Sequence, residues 1–222
     1  MTPFSRITAV AAPLLRDNID TDAIIPSREI VAVSKTGLAD GLFADWRYLT
    51  RGSRTLNPQF VLNDPAFHGA RILLAGANLG CGSSREQAVW ALAEFGFRVL
   101  VASSFNPIFF RNCARNGLVA ATLPAPSIEA LAAHVSLDPR AHVLTVDLAS
   151  QTVAAGDHHR VHFSIPEEIK RSLLEGLDAI DQTQTLRTTI DAHRAADRRK
   201  RPWVYGVERR YSCIAPKFDT SQ

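Results

Sequence analysis

Cysteine is scarce in this chain. There are three, Cys81, Cys113 and Cys213, an odd number with no C-x-x-C pair. That excludes a disulfide framework and a complete metal or iron–sulfur site built by this chain alone, and it points to a reducing compartment. Charge of one sign is also lacking. The formal net charge is only +3, so the whole molecule is no strong binder of nucleic acid or other polyanions. No apolar run approaches the roughly 18 residues of a membrane-spanning helix. Residues 1–12 lack the basic region and long apolar stretch of a leader, so the expected location is the cytoplasm, with no membrane partner. The nucleotide motifs are missing too. There is no G-x-x-x-x-G-K-[ST], no G-x-G-x-x-G, and no G-x-S-x-G elbow of a serine hydrolase. What remains is a chain that is 46% hydrophobic, long enough for one substantial core.

Against that background one stretch stands out: Gly76-Ala77-Asn78-Leu79-Gly80-Cys81-Gly82-Ser83-Ser84-Arg85-Glu86. The apolar run 70–75 before it reads as a buried strand. After it, Ala88, Leu92 and Phe95 recur at helical spacing and Gly96 stops the helix. Ser83 with Glu86 reads as a capping box. Gly76, Gly80 and Gly82 allow close backbone approach or positive φ. Free first-turn amides, the positive end of the helix dipole and the two-pronged Arg85 then form a receptor for a small carboxylic acid, with hydroxyls alongside.

The rest of the chain supports an α/β reading. Residues 6–15 and 23–33 read as strands or strand-and-turn around an acidic loop, and 37–60 as irregular with a short helix. From Arg71 to Leu123 strand and helix alternate, which favours parallel pairing, with the second helix starting near Pro107 and ending at Gly117. Val143–Leu148 and His159–Ile165 read as a hairpin around Ala155-Gly156-Asp157. Segments 169–180 and 186–196 read as closing helices. His158, His159 and His162 fall on the hairpin, where alternate residues face opposite sides, and read as exposed rather than as metal ligands. Arg198-Arg199-Lys200-Arg201 reads as the solvated end of a helix.

The stretch from Gly80 to Glu86 resembles the signature of the small subunits of 3-isopropylmalate dehydratase, relatives of the swivelling domain of aconitases. Three further segments resemble the family in the same order: Asp17-Asn18-Ile19-Asp20-Thr21-Asp22-Ala23-Ile24-Ile25-Pro26; Leu42 to Leu49 followed by Asn57 to Asn63; and Ala93 to Phe110. The resemblance runs from about residue 5 to about residue 195. It implies a three-layer β/β/α swivelling fold, with a mixed sheet and helices on one side, over residues 1–200. It also implies reversible dehydration of a 2-alkylmalate through an alkylmaleate, in leucine biosynthesis. The [4Fe-4S] cluster is then carried by a large partner subunit, no metal is bound by this chain, and the chain is active only in that complex. By the same likeness Ser83 is the base, and Ser84 and Arg85 contact substrate. Asp20, Thr21 and Asp22, with Asn78, Gly80, Cys81 and Gly82, belong to the site loop or the subunit contact, and Cys81 reads as a small buried thiol.

Two departures leave alternatives open. Close relatives usually carry Arg-Glu-Asn-Phe where this chain has Gly76-Ala77-Asn78-Leu79, so citraconate or dimethylmaleate rivals 3-isopropylmalate as substrate. Residues 201–222 extend past the usual end, either covering the subunit interface or moving freely. A non-catalytic adaptor of the large subunit is the rival of another class. A self-sufficient metal hydrolase is disfavoured by the cysteine and histidine spacings.

Overall fold

The computed structural model of the protein describes residues 1–31, 34–156 and 159–205. Asp157 and His158 of the expected hairpin turn, and most of the C-terminal extension with Tyr211 and Cys213, lie outside the described residues. Contacts divide the chain into two compact units, residues 1–178 and 179–222.

The first unit is built on two four-stranded sheets, one wholly parallel and one wholly antiparallel. Residues 6–15 form two strands rather than one, β1 (Arg6–Ala9) and β2 (Ala11–Leu14), which join different sheets across Val10. The parallel sheet runs β2, β3 (Ile72–Ala75), β4 (Val99–Ala102), β5 (Val119–Thr122) in sequence order. The antiparallel sheet runs β1, β6 (Leu144–Asp147), β7 (Thr152–Ala155), β8 (His159–His162). The hairpin is therefore a meander with an extra strand. Its first turn is set by Asp147, whose carboxylate accepts the Ser150 N–H at 2.9 Å.

Side-chain alternation makes the parallel sheet the middle layer. Ile72, Leu74, Val99, Val101 and Val119 meet Leu144, Val146 and Val153 of the antiparallel sheet. From the opposite face Leu73, Ala75, Leu100 and Ala102 meet Ala88, Val89 and Leu92 of helix α3 (Glu86–Phe95) and Phe109 and Cys113 of α4 (Pro107–Arg115). The fold is thus the expected three-layer β/β/α arrangement.

The helix inventory differs from the sequence reading in three places. Residues 21–29 form α1 (Thr21–Ile24) and a short 3-10 turn instead of a strand, because the Asp20 carboxylate caps the turn by accepting the Ala23 N–H at 2.6 Å. The irregular stretch holds the expected short helix, α2 (Ala44–Arg47). An unanticipated helix, α5 (Ala125–Leu137), buries Ile128, Leu131, Ala132 and Val135 in the cluster between the two sheets. The closing segment is three helices: α6 (Glu167–Glu175), stopped by Gly176 at φ 70°, then α7 (Ala179–Thr185) and α8 (Arg187–Lys200) in the second unit. There Asp197 accepts from Arg201 Nε at 2.7 Å and from the Tyr205 hydroxyl at 2.8 Å. Arg198, Arg199 and Lys200 are exposed. Among the described residues no helix is long and apolar enough to cross a membrane.

One carboxylate holds a loop across the sequence. Glu94 on α3 accepts the N–H groups of Gly37, Leu38 and Ala39 at 2.6, 2.6 and 2.9 Å. Burial alone pushes this carboxyl upward, but the three N–H donors outweigh it and hold it below the ordinary carboxylate value. A lowered pKa adds stability that is present above the unfolded value, ~4.3, and is lost as pH falls through the folded value. Glu94→Gln should therefore cost about 1–2 kcal/mol at neutral pH, the solvent exposure of the side chain keeping it modest. In denaturant titrations the gap between wild type and variant should close in acid below about pH 4.

Candidate active site

The glycine-rich loop leaves the carboxyl end of β3, where open α/β sheets gather ligands. It does not hang free. Gly76 N–H donates to the Arg16 carbonyl at 3.1 Å, Ala77 N–H to the Asp17 carboxylate at 2.6 Å, and Gly80 N–H to the Ile19 carbonyl at 2.7 Å. From the other side, Leu79 N–H donates to the Ser104 carbonyl at 3.0 Å, Asn106 N–H donates to the Leu79 carbonyl at 2.9 Å, and Asn78 N–H donates to Ser104 Oγ at 2.7 Å. Isolated parallel bridges, Asp20 with Cys81 and Leu79 with Phe105, extend the sheet through the loop. Segments following β2 and β4 thus hold the segment following β3 between them.

Two glycines are required by contact. A Cβ on Gly76 would sit 2.2 Å from Asp17 Oδ1 and 2.7 Å from the Arg16 carbonyl, so this position serves close approach. Gly80, at φ +77°, combines a left-handed backbone with a Cβ site 2.1 Å from the Phe109 ring.

The loop ends in a display of side chains. Gly82, Ser83 and Ser84 are exposed and Arg85 is half-buried. Cys81 is half-buried rather than buried, while Cys113 is fully buried on the inner face of α4, where desolvation pushes its thiol pKa far up. Thr21, buried, donates its hydroxyl to the Ser83 carbonyl, and its N–H donates to the Cys81 carbonyl at 3.1 Å. Asp20 is spent as the α1 cap, and Asp22 faces Arg85. The acidic loop and the serine loop therefore form one braced unit. Asn78 sits at φ 57° and donates from Nδ2 to Asn18 at 2.9 Å.

The capping box is not formed. Arg85, extended at φ −135° and ψ 112°, is the N-cap of α3, and Ser83 lies two residues ahead of it. The Glu86 carboxylate accepts from Asn116 Nδ2 at 2.9 Å instead of reaching back. Arg85 takes the extended backbone usual for an N-cap while its guanidinium pairs with Asp22. The first turn of α3 therefore has no side-chain cap among the described residues.

Sequence reasoning missed the bracing residues Asp17, Asn18, Ser104 and Asn106. All four lie within the segments that resemble the family, and their position at the ends of neighbouring parallel strands was the further signal. Asp45 is exposed and, with Trp46, borders a cleft shared with Asp22. Asp45 holds Arg28, the Trp46 ring stacks 5.6 Å from Phe43 under Arg16, and Arg47 donates to the Ala39 carbonyl at 2.9 Å. His159 and His162 are exposed on β8. No three His, Cys, Asp or Glu side chains among the described residues converge as metal ligands.

A parallel sheet stacked on an antiparallel one, with a serine-bearing loop at its carboxyl edge, defines a swivelling domain of the aconitase type. Residues 1–126 accordingly match the family described as the aconitase C-terminal domain. The 3-isopropylmalate dehydratase small subunit of Cupriavidus necator is 53% identical over 205 residues, 92% of this chain and 99% of that one. Its counterpart from Methylorubrum populi is 48% identical over 183 residues, 82% and 90% of the two chains. The crystal structure of 3-isopropylmalate dehydratase from Methanocaldococcus jannaschii superposes with a TM-score of 0.61 at 25% identity, covering 85% of this chain and 99% of that one. The chain belongs to the family of 3-isopropylmalate dehydratase small subunits.

Proposed function

We propose that this chain works in the cytoplasm with a large subunit to interconvert 2-isopropylmalate and 3-isopropylmalate through isopropylmaleate. The observation that carries the reading is the pair of exposed hydroxyls, Ser83 and Ser84, beside Arg85 on a loop braced from both sides. Two exposed hydroxyls beside a cation on a braced loop suit a site completed by another chain. The large subunit is taken to carry the [4Fe-4S] cluster, which supplies the Lewis acid for the departing hydroxide.

Within this chain three tasks are divided. Ser83 Oγ takes the proton from the carbon next to a substrate carboxylate. A serine hydroxyl is a poor base in water, so its anionic form needs nearby positive charge. Ser83 stands ahead of the helix rather than capping it, so Arg85 and the partner surface must supply that charge. Ser84 hydrogen-bonds the substrate, and the guanidinium of Arg85 receives a carboxylate. Asn78, Gly80, Cys81 and Gly82 give the loop its path, and Asp20 and Thr21 fix it from the side.

The direct test is reconstitution with the large subunit, following alkylmaleate formation from 2- and 3-isopropylmalate and, in parallel, the hydration of citraconate and dimethylmaleate. Faster turnover of either smaller acid would move the substrate assignment, and a complex inert on all of them would end it. Arg85→Lys should raise KM roughly 10–100-fold and lower kcat less, because a point charge cannot replace a two-pronged contact. Unchanged KM would remove Arg85 from carboxylate binding.

A further inference from the structure

Arg85 does not stand free. Its Nη1 and Nη2 both donate to the Asp22 carboxylate, the Nη2–Oδ2 contact at 2.9 Å, and Nη1 also lies 3.5 Å from the Ile25 carbonyl. This end-on grip uses the two terminal nitrogens and leaves Nε without a partner among the described residues. A guanidinium carries five N–H donors, so Nε–H and the second N–H of Nη2 form another fork along the side of the group. Asp22 thus occupies the Nη1–Nη2 edge of Arg85 and leaves the Nε–Nη2 edge unused.

The pair fits orientation better than stability. The Asp22 side chain is 56% exposed and that of Arg85 22%, and surface pairs contribute little to folding. Arg28, which borders the same 330 Å³ cleft as Asp22, is held by both Asp45 oxygens and by Glu29, and so does not compete for Asp22. The backbone behind Asp22 is fixed as well. Asp20 caps α1, and Thr21 next to it donates to the carbonyl of Ser83. One short segment therefore sets both the backbone of the base and the head of the cation.

We propose that Asp22 is the positioning residue of Arg85, holding the guanidinium end-on so that its Nε–Nη2 edge receives one carboxylate of the substrate. This rests on the proposed function. The experiment uses the reconstituted two-subunit enzyme and 3-isopropylmalate. Asp22→Asn should raise KM about tenfold with kcat changed less than about threefold, while Asp22→Glu recovers part of the loss. In an Arg85→Ala background the same Asp22→Asn change should add less than about twofold, since Asp22 acts only through Arg85. A full additional loss in that background, or an unchanged KM in the single variant, overturns the proposal and leaves the activity standing. A wild-type complex inert on the substrate overturns both. Should Asp22→Asn fail to assemble, Asp22→Ser is expected to give the same KM rise, and assembly with unchanged KM refutes the role.

Discussion

Ser83→Ala is expected to lower turnover of the reconstituted enzyme by about 10²–10⁴-fold while KM moves less than about threefold. That range corresponds to roughly 3–5 kcal/mol of barrier at about 1.4 kcal/mol per decade. Two features make the measurement clean. The Ser83 side chain is exposed and makes no cap, so its loss leaves the fold unaltered. The anchor at this residue is its carbonyl, which Thr21 holds, and alanine keeps that carbonyl. Assembly with the large subunit and the melting curve should therefore match wild type while the rate collapses. A variant that assembles and turns over at the wild-type rate would leave a docking role and eliminate the serine base.

The same loop shows where sequence is readable and where it is not. The strand, helix, strand, helix, strand run from Arg71 to Leu123 was legible because each element carries its own period and its own stop. The Ser83–Glu86 capping box was misread. Asp22, 63 positions away, pairs with Arg85, and the helix starts at Glu86 with Arg85 as its N-cap. The bracing by Asp17, Thr21 and Ser104 and the grip of Glu94 on residues 37–39 are likewise distant pairings that no local pattern encodes. Helix α5 is a different case. Ile128, Leu131, Ala132 and Val135 carry helical spacing plainly, and the prolines at 124 and 126 only mark its first turn. The break at Val10 was hidden because both halves of residues 6–15 are good strand sequence. The pairing partners decide it: β1 pairs with β6 and β2 with β3, and the Arg71 N–H donates to the Val10 carbonyl at 3.0 Å where the chain passes between sheets.

Gly80→Ala should be the most damaging small substitution in the site, costing about 2–5 kcal/mol. The left-handed backbone accounts for about 1–2 of that and overpacking for about 1–3. The overpacking has no easy escape. The new Cβ would lie 2.1 Å from Phe109 Cγ, and Phe109 is only 2% exposed in the cluster beneath α3 and α4. Phe109 cannot swing away cheaply either. Asn106 caps the first turn of its helix, accepting the Phe109 N–H at 3.3 Å, while Asn106 N–H is tied to the Leu79 carbonyl beside Gly80. Relieving the clash would pull apart the contact that holds the serine loop to β4. Gly82→Ala is the internal control, with φ +79° but its nearest neighbour, Asp20 Cβ, at 3.4 Å. It should cost only the backbone share, about 1–2 kcal/mol. At about 2–4 °C per kcal/mol for a chain of this size, the Gly80 variant should melt roughly 4–20 °C below wild type and the Gly82 variant roughly 2–8 °C below. Equal melting points for the two variants would mean that Phe109 yields, and that the loop is held to the sheet by its hydrogen bonds alone.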